Sequence, residues 1–151
     1  MREMRIRPAR PVDAEGITSL LHASSAYQGR YSSILDGYEF TEDQVRDTVC
    51  FLAEDADGRL AGYYSLVPDP AELDLLLVAD AEQGSGLGAR LVRHMLEQAR
   101  NLGLASVRVV SHPPAEGFYL RMGARRVGVV PPRPPKVDYE RPELVWDLLV
   151  E

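Results

Sequence analysis

Residues 71–101 read AELDLLLVADAEQGSGLGARLVRHMLEQARN, and the rest of the chain can be interpreted outward from them. The stretch begins with a run over 72–78 that is apolar apart from two acids, which is too short to span a membrane but suits a central strand covered on both faces. Glycines follow at alternate positions, as Gly84, Gly86 and Gly88, and helical periodicity begins after them. The stretch therefore predicts a strand, a glycine loop and a helix in succession.

The helix is predicted from apolar residues that recur every third or fourth position, with charged residues on the opposite side. The apolar positions are Leu87, Leu91, Val92, Met95, Leu96 and Ala99. Gly103 is expected to end the helix, because a residue with positive φ is favoured there and glycine has no Cβ. A strand predicted over 104–110 is joined to the strand at 72–78 by this helix, so the two strands are predicted to be parallel.

The glycine loop lets backbone amides approach a ligand, and the first turn of the helix adds unpaired N–H groups and a positive dipole end. We therefore predict an anion site of the kind that binds a pyrophosphate. A P-loop is excluded because no Gly-Lys-Ser/Thr ending is present, and a nucleophile elbow is excluded because Gln83 and Leu87 flank Ser85 where glycines are needed. The dinucleotide pattern G-x-G-x-x-A is matched over 84–89, but no acid lies near Arg108, roughly 20 residues on, where a ribose would be held.

The remaining chain alternates short strands and helices. Strands are predicted at 3–8, 50–54, 60–67, 72–78, 104–110, 125–130 and 144–150, and helices from Pro11, from a capping box at 41–44 with Val45 and Val49 facing inward, and over 115–122. An irregular connector over 26–40 and a protruding, proline-rich loop over 131–142 complete the chain. These elements predict an α/β (α+β) fold with one mixed, mostly antiparallel sheet of about six or seven strands, parallel central strands four and five, and helices on both faces.

Composition narrows the classes of protein. A chain of 151 residues suits one domain over 1–151, and no signal peptide or membrane anchor is visible, so we expect a cytoplasmic protein that does not bind membranes. The single Cys50 allows no internal disulfide and fits a reducing compartment. The net charge of −6 argues against nucleic acid as a partner and suits a cationic acceptor.

Two blocks of sequence resemble the GNAT (GCN5-related) family of N-acetyltransferases. Residues 83–88, QGSGLG, are similar to that family's acyl-CoA loop, Q/R-x-x-G-x-G/A, and residues 115–123, AEGFYLRMG, are similar to its A-x-x-F-Y-x-x-x-G helix. The resemblance covers nearly the whole chain and implies the acyl-CoA N-acyltransferase fold. It also implies acetyl-CoA as cosubstrate and a primary amine of a small molecule or peptide as acceptor, acetylated by direct attack on the thioester.

The resemblance implies which residues bind acetyl-CoA. They are Leu77, Val78, Gln83, Gly84, Ser85, Gly86, Leu87, Gly88, Ala89 and His112. Ser85 stands where the family often has a basic residue, so weaker pyrophosphate binding is expected unless Arg90 or Arg93 compensates. His112 stands where the family usually has an asparagine that bonds to the pantetheine amide, and its imidazole can supply only one such bond.

Three residues are predicted to be catalytic. Tyr119 matches the family's tyrosine that protonates the departing thiolate, and Glu72 lies where the family often places its base. Asp74 is two residues further along the same strand and is predicted to share the face of Glu72. The sequence leaves open whether Glu72, Asp74 or a water relay is the base, and whether Asp74 instead pairs with an arginine such as Arg108.

The acceptor pocket is expected between the connector, with Tyr27, Tyr31, Tyr38 and Phe40, and the loop at 131–142. No metal site is predicted, because the histidines on helices lack ligand partners at suitable spacing. The substituted asparagine position and the uncertain base leave a second class open, an acyl-CoA-binding sensor or interaction module without catalytic activity. Exposed strand ends are compatible with a homodimer.

Overall fold

The computed structural model describes residues 3–148 and contains one seven-stranded sheet in the order β1-β2-β3-β4-β5-β7-β6. The strands are β1 (Met4–Pro8), β2 (Val49–Asp55), β3 (Leu60–Pro68), β4 (Ala71–Val78), β5 (Ser106–Val110), β6 (Arg125–Val130) and β7 (Arg141–Asp147). Every neighbouring pair is antiparallel except β4 and β5, which are parallel. The predicted sheet and its parallel centre are confirmed.

Helices cover both faces of the sheet, as predicted. They are α1 (Ala14–Ala23), which follows a 3-10 turn at Pro11–Asp13, α2 (Glu42–Asp47), α3 (Leu87–Asn101) and α4 (Glu116–Arg121). Helices α1 and α2 contribute to one buried apolar cluster, and α3 and α4 contribute to the other. No helix within residues 3–148 is long and apolar enough to cross a membrane.

Local signals placed the helix ends well. All six apolar positions predicted for α3 are buried, and Gly103 follows the helix with a φ of 75°. Helix α2 begins at the predicted capping box, in which the Thr41 hydroxyl accepts from the Gln44 N–H at 3.1 Å and the Gln44 side chain accepts from the Thr41 N–H at 2.8 Å. Val49 was predicted to face inward from this helix but begins β2, because α2 ends at Asp47.

Two regions differ from the sequence prediction. Strand β7 begins at Arg141, three residues earlier than expected, and residues 149 and 150 of the predicted strand lie outside the described residues. The proline-rich loop does not protrude along its whole length, because Val137 and Tyr139 are each only 5% exposed. The ring of Tyr139 in this loop packs against Tyr31 of the connector, which itself contains 3-10 turns at Ser25–Tyr27 and Gly29–Leu35.

Strands β4 and β5 diverge toward the carboxyl end of β4. Their pairing is registered at Glu72 and Arg108, and β5 ends two residues later at Val110. Since β4 continues to Val78, its last part has no strand beside it on that edge within the described chain. The two parallel strands therefore leave an opening between them.

A β-bulge interrupts β4 at Asp74, where the register against β3 slips by one residue and leaves Asp74 out of the ladder. Leu73 packs in the core on the α3 side, whereas Leu75 and Leu77 pack on the α1 side. In a regular strand these three odd-numbered residues would share one face. The bulge therefore changes which face the second half of β4 presents, as bulges beside functional sites commonly do.

Candidate functional site

The glycine loop leads into α3 through two left-handed residues. Gly84 has a φ of 79° and Gly86, the N-cap of α3, has a φ of 89°, a conformation that glycine adopts without a Cβ clash. The Ser85 hydroxyl accepts a hydrogen bond from the Leu87 N–H at 3.3 Å. The backbone N–H groups of this segment that have no hydrogen-bond acceptor among residues 3–148 are those of Gly84, Gly86, Gly88 and Ala89. Unpaired N–H groups at the positive end of a helix suit an anion.

Two close contacts hold this loop against the sheet and α4. The Gln83 side-chain amide donates to the carbonyl of Val78 at 3.1 Å. A Cβ added at Gly88 would lie 3.3 Å from Phe118 Cζ and 3.6 Å from Val78 Cγ2. Gly88 is therefore also a packing residue, because it lets the first turn of α3 approach Phe118.

A cleft of about 540 Å³ runs from this loop into the opening between β4 and β5. Its volume lies within the usual range for ligand pockets. The cleft brings together most of the predicted site residues, namely Asp74, Leu77, Val78, Gln83, Gly84, Gly86, Leu87, Gly88, Ala89, His112 and Tyr119. Glu72 and Ser85 do not line it.

The two predicted carboxylates have different surroundings. Glu72 accepts from Arg108 Nη1 at 2.5 Å, and Arg108 also donates to Glu143, so it is Glu72 and not Asp74 that pairs with this arginine. Asp74 is exposed and lines the cleft, where partial loss of water and, secondarily, the charge of Glu72 raise its pKa. Of the two predicted carboxylates, Asp74 is the one that lines the cleft, and it forms no ion pair with the described residues.

Tyr119 lies at the inner end of the cleft and is only 6% exposed. Its ring contacts Trp146 edge-on, with a centroid distance of 5.6 Å and an interplanar angle of 84°. Burial, with a smaller effect from Tyr27, raises the pKa of Tyr119 above its ordinary value. No group within residues 3–148 hydrogen-bonds to its hydroxyl, which is protonated over the whole physiological range.

His112 stands between two tyrosine rings. The centroid of its ring lies 4.7 Å from that of Tyr27 and 4.5 Å from that of Tyr31. Burial lowers the pKa of His112, an effect opposed by a hydrogen bond with the backbone of Ala26. Its Nε2 is buried and has no hydrogen-bond partner in the described chain. A neutral imidazole with one unused nitrogen therefore borders the cleft.

The connector and the proline-rich loop meet behind His112. The Ser33 hydroxyl donates to the carbonyl of Lys136 at 2.6 Å, and the rings of Tyr31 and Tyr139 meet edge-on at 4.9 Å. These two contacts, together with the contact between Tyr31 and His112, form what we call the tyrosine buttress: Tyr31, Ser33, Lys136 and Tyr139. The buttress supports one wall of the cleft.

Of the aromatic residues predicted to wall an acceptor pocket, Tyr27 lines the cleft. Burial, followed by the nearby Tyr139, Tyr38 and Asp74, raises the pKa of Tyr27 to about 12. Phe40 is not a wall residue: it is 1% exposed and packs in the core, with its ring centroid 6.3 Å from that of Tyr63.

Arg90 or Arg93 was expected to supply the positive charge that the loop lacks at Ser85. Neither arginine lines the cleft. Arg90 Nη1 donates to the carbonyl of Met4 at 2.9 Å, and both arginines line a separate groove beside β1. Arg121, on α4, is instead the arginine that lines the cleft. The sequence analysis did not identify Arg121. Its position four residues after Gly117 was a usable signal, because residues four apart share one helix face and glycine has no side chain to occupy it.

One cleft is thus lined by a glycine loop with unpaired backbone N–H groups, by the buried phenol of Tyr119 and by the carboxylate of Asp74. No group of three or more His, Cys, Asp or Glu within residues 3–148 could hold a metal ion. A cleft of this kind suits a protein class that binds a ligand with anionic groups, because unpaired N–H groups at a helix N-terminus favour negative charge.

The profile of the Acetyltransferase (GNAT) family matches residues 17–124, and the chain belongs to this family. The match contains both blocks that suggested the resemblance, and acetyl transfer is the chemistry of the family. No curated protein sequence matches the chain.

Solved structures agree on the fold. A GCN5-related N-acetyltransferase from Rhodopseudomonas palustris is 19% identical with a TM-score of 0.76, and the alignment covers 95% of each chain. YncA from Salmonella typhimurium, solved with its cofactor acetyl-CoA, is 19% identical with a TM-score of 0.74 over 99% of this chain and 96% of YncA. A chimera of the spermidine N-acetyltransferase SpeG from Vibrio cholerae is 18% identical with a TM-score of 0.73 over 96% of this chain and 95% of its own. At these identities the similarity shows the fold alone.

Proposed function

We propose that the protein is an acetyl-CoA-dependent N-acetyltransferase that acetylates a primary amine by direct attack on the thioester. The observation that carries the proposal is a single cleft that is lined both by the glycine loop with its unpaired N–H groups and by Tyr119 and Asp74. Such a cleft suits a ligand with phosphates at one end and a reactive thioester at the other. The bound acetyl-CoA of YncA supports the choice of carrier.

The loop would hold the diphosphate of acetyl-CoA through its unpaired N–H groups, those of Gly84, Gly86, Gly88 and Ala89. The open edge of β4, at Leu77 and Val78, would bind the pantetheine arm, since backbone groups there have no neighbouring strand. His112 would offer its unused Nε2 to the same arm. Ser85 acts from outside the cleft, because its hydroxyl is engaged by the N–H of Leu87 and keeps the loop in shape.

Catalysis needs a base, because an ammonium with a pKa near 10.4 costs about 4 to 5 kcal/mol to deprotonate at pH 7. We assign this role to Asp74 in preference to Glu72, whose carboxylate is held by Arg108 outside the cleft. Asp74 would accept the proton of the ammonium, directly or through water, and the free amine would attack the thioester carbon. A C–N bond forms, the C–S bond breaks, and Tyr119 would give its proton to the leaving thiolate. The acetylated nitrogen would lose its second proton, which would return to Tyr119 through water.

The acceptor would enter beside Tyr27 and the tyrosine buttress, opposite the glycine loop. A small molecule or a peptide with a primary amine is the substrate class we propose, and the net charge of −6 favours a cationic acceptor. SpeG, which shares the fold, is described as a spermidine acetyltransferase and motivates polyamines as one class to test. We also propose that residues 1–151 form one acetyltransferase domain, and the cytoplasmic location and the homodimer stay predictions.

The test measures release of free thiol from acetyl-CoA with polyamines, amino acids, aminoglycosides and peptides as acceptors, alongside calorimetric titration with acetyl-CoA. We expect acetyl-CoA binding in every case and thiol release that one acceptor class stimulates. Binding without stimulated release by any acceptor would instead favour the sensor module, for which the paired state of Glu72 and the substituted His112 speak. Absence of acetyl-CoA binding would contradict both functions.

A further inference from the structure

Asp80 links two segments that both contribute to the cleft. It begins the 3-10 turn Asp80–Glu82, which follows β4 and leads into the glycine loop. Its carboxylate accepts hydrogen bonds from one residue of the connector. The Ser25 N–H donates to both carboxylate oxygens at 3.2 Å, and the Ser25 hydroxyl donates to Oδ1 at 3.0 Å. The two residues are 55 positions apart, so only the tertiary fold brings them together.

The segment that carries Asp80 is held to the sheet on both sides. Before it, the Ala79 N–H donates to the carbonyl of Ala61 on β3 at 2.8 Å. After it, the Gln83 side-chain amide donates to the carbonyl of Val78 at 3.1 Å. Asp80 therefore offers its carboxylate from a fixed position next to the glycine loop.

The turn Ser25–Tyr27 is held by long hydrogen bonds of its own. The Ser24 hydroxyl accepts from the Ala26 N–H at 3.2 Å, and the Ser24 carbonyl accepts from the Tyr27 N–H at 3.3 Å. Both distances lie at or beyond the upper end of the usual range for N–H···O bonds. The contact with Asp80 differs because its acceptor is charged, which strengthens a hydrogen bond. It therefore adds a restraint on this turn from outside the turn.

The restrained turn places two residues in the cleft. Ala26 and Tyr27 both line it, and a hydrogen bond joins the backbone of Ala26 to His112. The centroid of the Tyr27 ring lies 4.7 Å from that of the His112 ring. The carboxylate of Asp74 is close enough to contribute to the raised pKa of Tyr27. A shift of the turn would therefore move the wall beside which the acceptor would enter.

The contact lies at the surface. Ser25 and Asp80 are both exposed, so neither side chain is part of the apolar core. Exposed charged contacts contribute little to the stability of a fold. Loss of this contact should therefore change the position of the turn without unfolding the protein.

We propose that Asp80 is a positioning residue for the acceptor: through Ser25 it holds Tyr27 at the cleft, and it thereby sets how tightly the acceptor amine binds. This inference rests on the proposed function. The glycine loop keeps its own bond from Gln83 to Val78 when the contact is lost. Acceptor binding should therefore depend on Asp80, and acetyl-CoA binding should not.

The test compares wild-type protein with Asp80→Ala, Ser25→Ala and the control Asp57→Ala. Asp57→Ala removes an equally exposed acid from the β2–β3 turn, outside the cleft. Thiol release is measured with whichever polyamine, amino acid, aminoglycoside or peptide stimulates it most, and acetyl-CoA binding is measured by calorimetry. We expect Asp80→Ala to raise the acceptor KM about three- to tenfold, with kcat and acetyl-CoA affinity changed less than about twofold. Ser25→Ala keeps the backbone N–H and should raise the KM less.

Nuclear magnetic resonance gives a second readout that needs no acceptor. The imidazole signals of His112, assigned with His112→Gln, should shift in Asp80→Ala and not in Asp57→Ala, because the nearby Tyr27 ring alters the local magnetic field. His94, which is bonded to Tyr64 away from the cleft, is the internal control. An unshifted His112 signal in Asp80→Ala overturns the inference, because the turn has then kept its position.

The kinetic outcomes separate this inference from the proposed function. In the double variant of Asp80→Ala and Ser25→Ala, the acceptor KM should equal that of Asp80→Ala alone, and additive effects overturn the inference. An unchanged acceptor KM in Asp80→Ala, an equal rise in Asp57→Ala, or an equal loss of acetyl-CoA affinity also overturns it and leaves the proposed function standing. If no acceptor stimulates thiol release by the wild-type protein, the proposed function and this inference fall together.

Discussion

Asp74 and Glu72 are two acids on one strand, but their surroundings make only one of them a suitable general base. Glu72 is neutralised by Arg108, which in turn holds Glu143, so its carboxylate is committed to a structural ion pair. Asp74 occupies the bulge of β4 and faces the cleft. A raised pKa brings the proton affinity of Asp74 closer to that needed at neutral pH, as expected for a general base. At the scale of single residues, environment and not residue type separates the two candidates.

Asp74→Asn tests this assignment. We expect turnover to fall by about a hundredfold or more at pH 7, whereas Glu72→Gln should change it much less. The wild-type enzyme should lose kcat/KM as pH falls through the pKa of Asp74, above the reference value of about 3.9, and this acid limb should be absent in Asp74→Asn. A larger effect of Glu72→Gln than of Asp74→Asn on turnover would contradict the assignment.

The raised pKa of Asp74 also affects stability. Protonation of Asp74 at low pH is expected to lower activity but to stabilise the fold. Because the folded-state pKa of Asp74 is raised, protonation stabilises the fold fully below the unfolded value of about 3.9, and this contribution is lost as pH rises through the folded-state pKa. Asp74→Asn is therefore expected to raise the melting temperature at pH 7 and to change it little below pH about 3.9. Thermal unfolding at both pH values is the measurement.

Tyr119→Phe should lower turnover by about ten- to a hundredfold with little change in acetyl-CoA affinity. The effect is modest, because protonating a thiolate of pKa near 8.5 is worth only about 2 kcal/mol at pH 7. Tyr64→Phe is the matched control: Tyr64 is buried and bonded to His94 at 2.7 Å, away from the cleft. Steady-state kinetics and calorimetry should show lost turnover in Tyr119→Phe alone, and equal turnover in all three proteins would leave Tyr119 as a packing residue.

The element that governs the site is the glycine loop together with the first turn of α3. Its N–H groups point where they do because Gly84 and Gly86 take left-handed backbone conformations. Gly88 contributes differently, by allowing contact with Phe118 on α4. One short segment thus meets two demands, a backbone that exposes donors and a surface flat enough to pack against a neighbouring helix.

Gly86→Ala is expected to weaken acetyl-CoA binding by about tenfold, because a Cβ at positive φ costs about 1 to 2 kcal/mol and the loop would relax away from its binding shape. Gly58→Ala is the control, since Gly58 has a similar φ of 80° in the β2–β3 turn and, like Gly86, has nothing within 4 Å of an added Cβ. Calorimetry and thermal unfolding should show that both variants lose stability and that only Gly86→Ala loses affinity. Comparable affinity in the two variants would argue that the loop does not bind the diphosphate.

At the scale of the whole molecule, segments far apart in sequence close one side of the cleft. The tyrosine buttress joins the connector before α2 to the loop before β7, through the bond from Ser33 to Lys136 and the contact of Tyr31 with Tyr139. Tyr31 in turn supports His112 at the end of β5. This side of the cleft, where we propose that the acceptor enters, is therefore built from tertiary contacts between irregular segments.

Tyr139→Ala should raise KM for the acceptor several-fold and leave the acetyl-CoA dissociation constant unchanged. Removing this buried ring takes away the support of Tyr31 and loosens the wall beside His112, on the side away from the glycine loop. Loss of a large buried side chain also costs about 3 to 5 kcal/mol of stability, so kinetics should be measured well below the melting temperature. Weaker acetyl-CoA binding with an unchanged acceptor KM would contradict this prediction, because it would show that the buttress supports the acetyl-CoA site and not the acceptor site.

The local features of this protein followed from its sequence. The period of the apolar residues predicted the buried face of α3, the capping box at Thr41 marked the start of α2, and the glycine spacing predicted a loop with exposed backbone amides before α3. These signals depend on contacts between residues a few positions apart, so they can be recognised in the sequence without knowledge of the tertiary structure. The parallel pairing of β4 and β5 was also predictable, because a helix connects them.

Other features were decided only by the tertiary structure. The bulge at Asp74, the pairing of Glu72 with Arg108, the buried loop at Tyr139 and the placement of Arg121 in the cleft each depend on partners distant in sequence. A one-residue slip in register or the approach of another strand decides which side chain faces solvent, core or ligand, and no local period encodes that choice. The sequence by itself determined the elements and the class of ligand, and packing of distant segments determined which charges stand in the cleft.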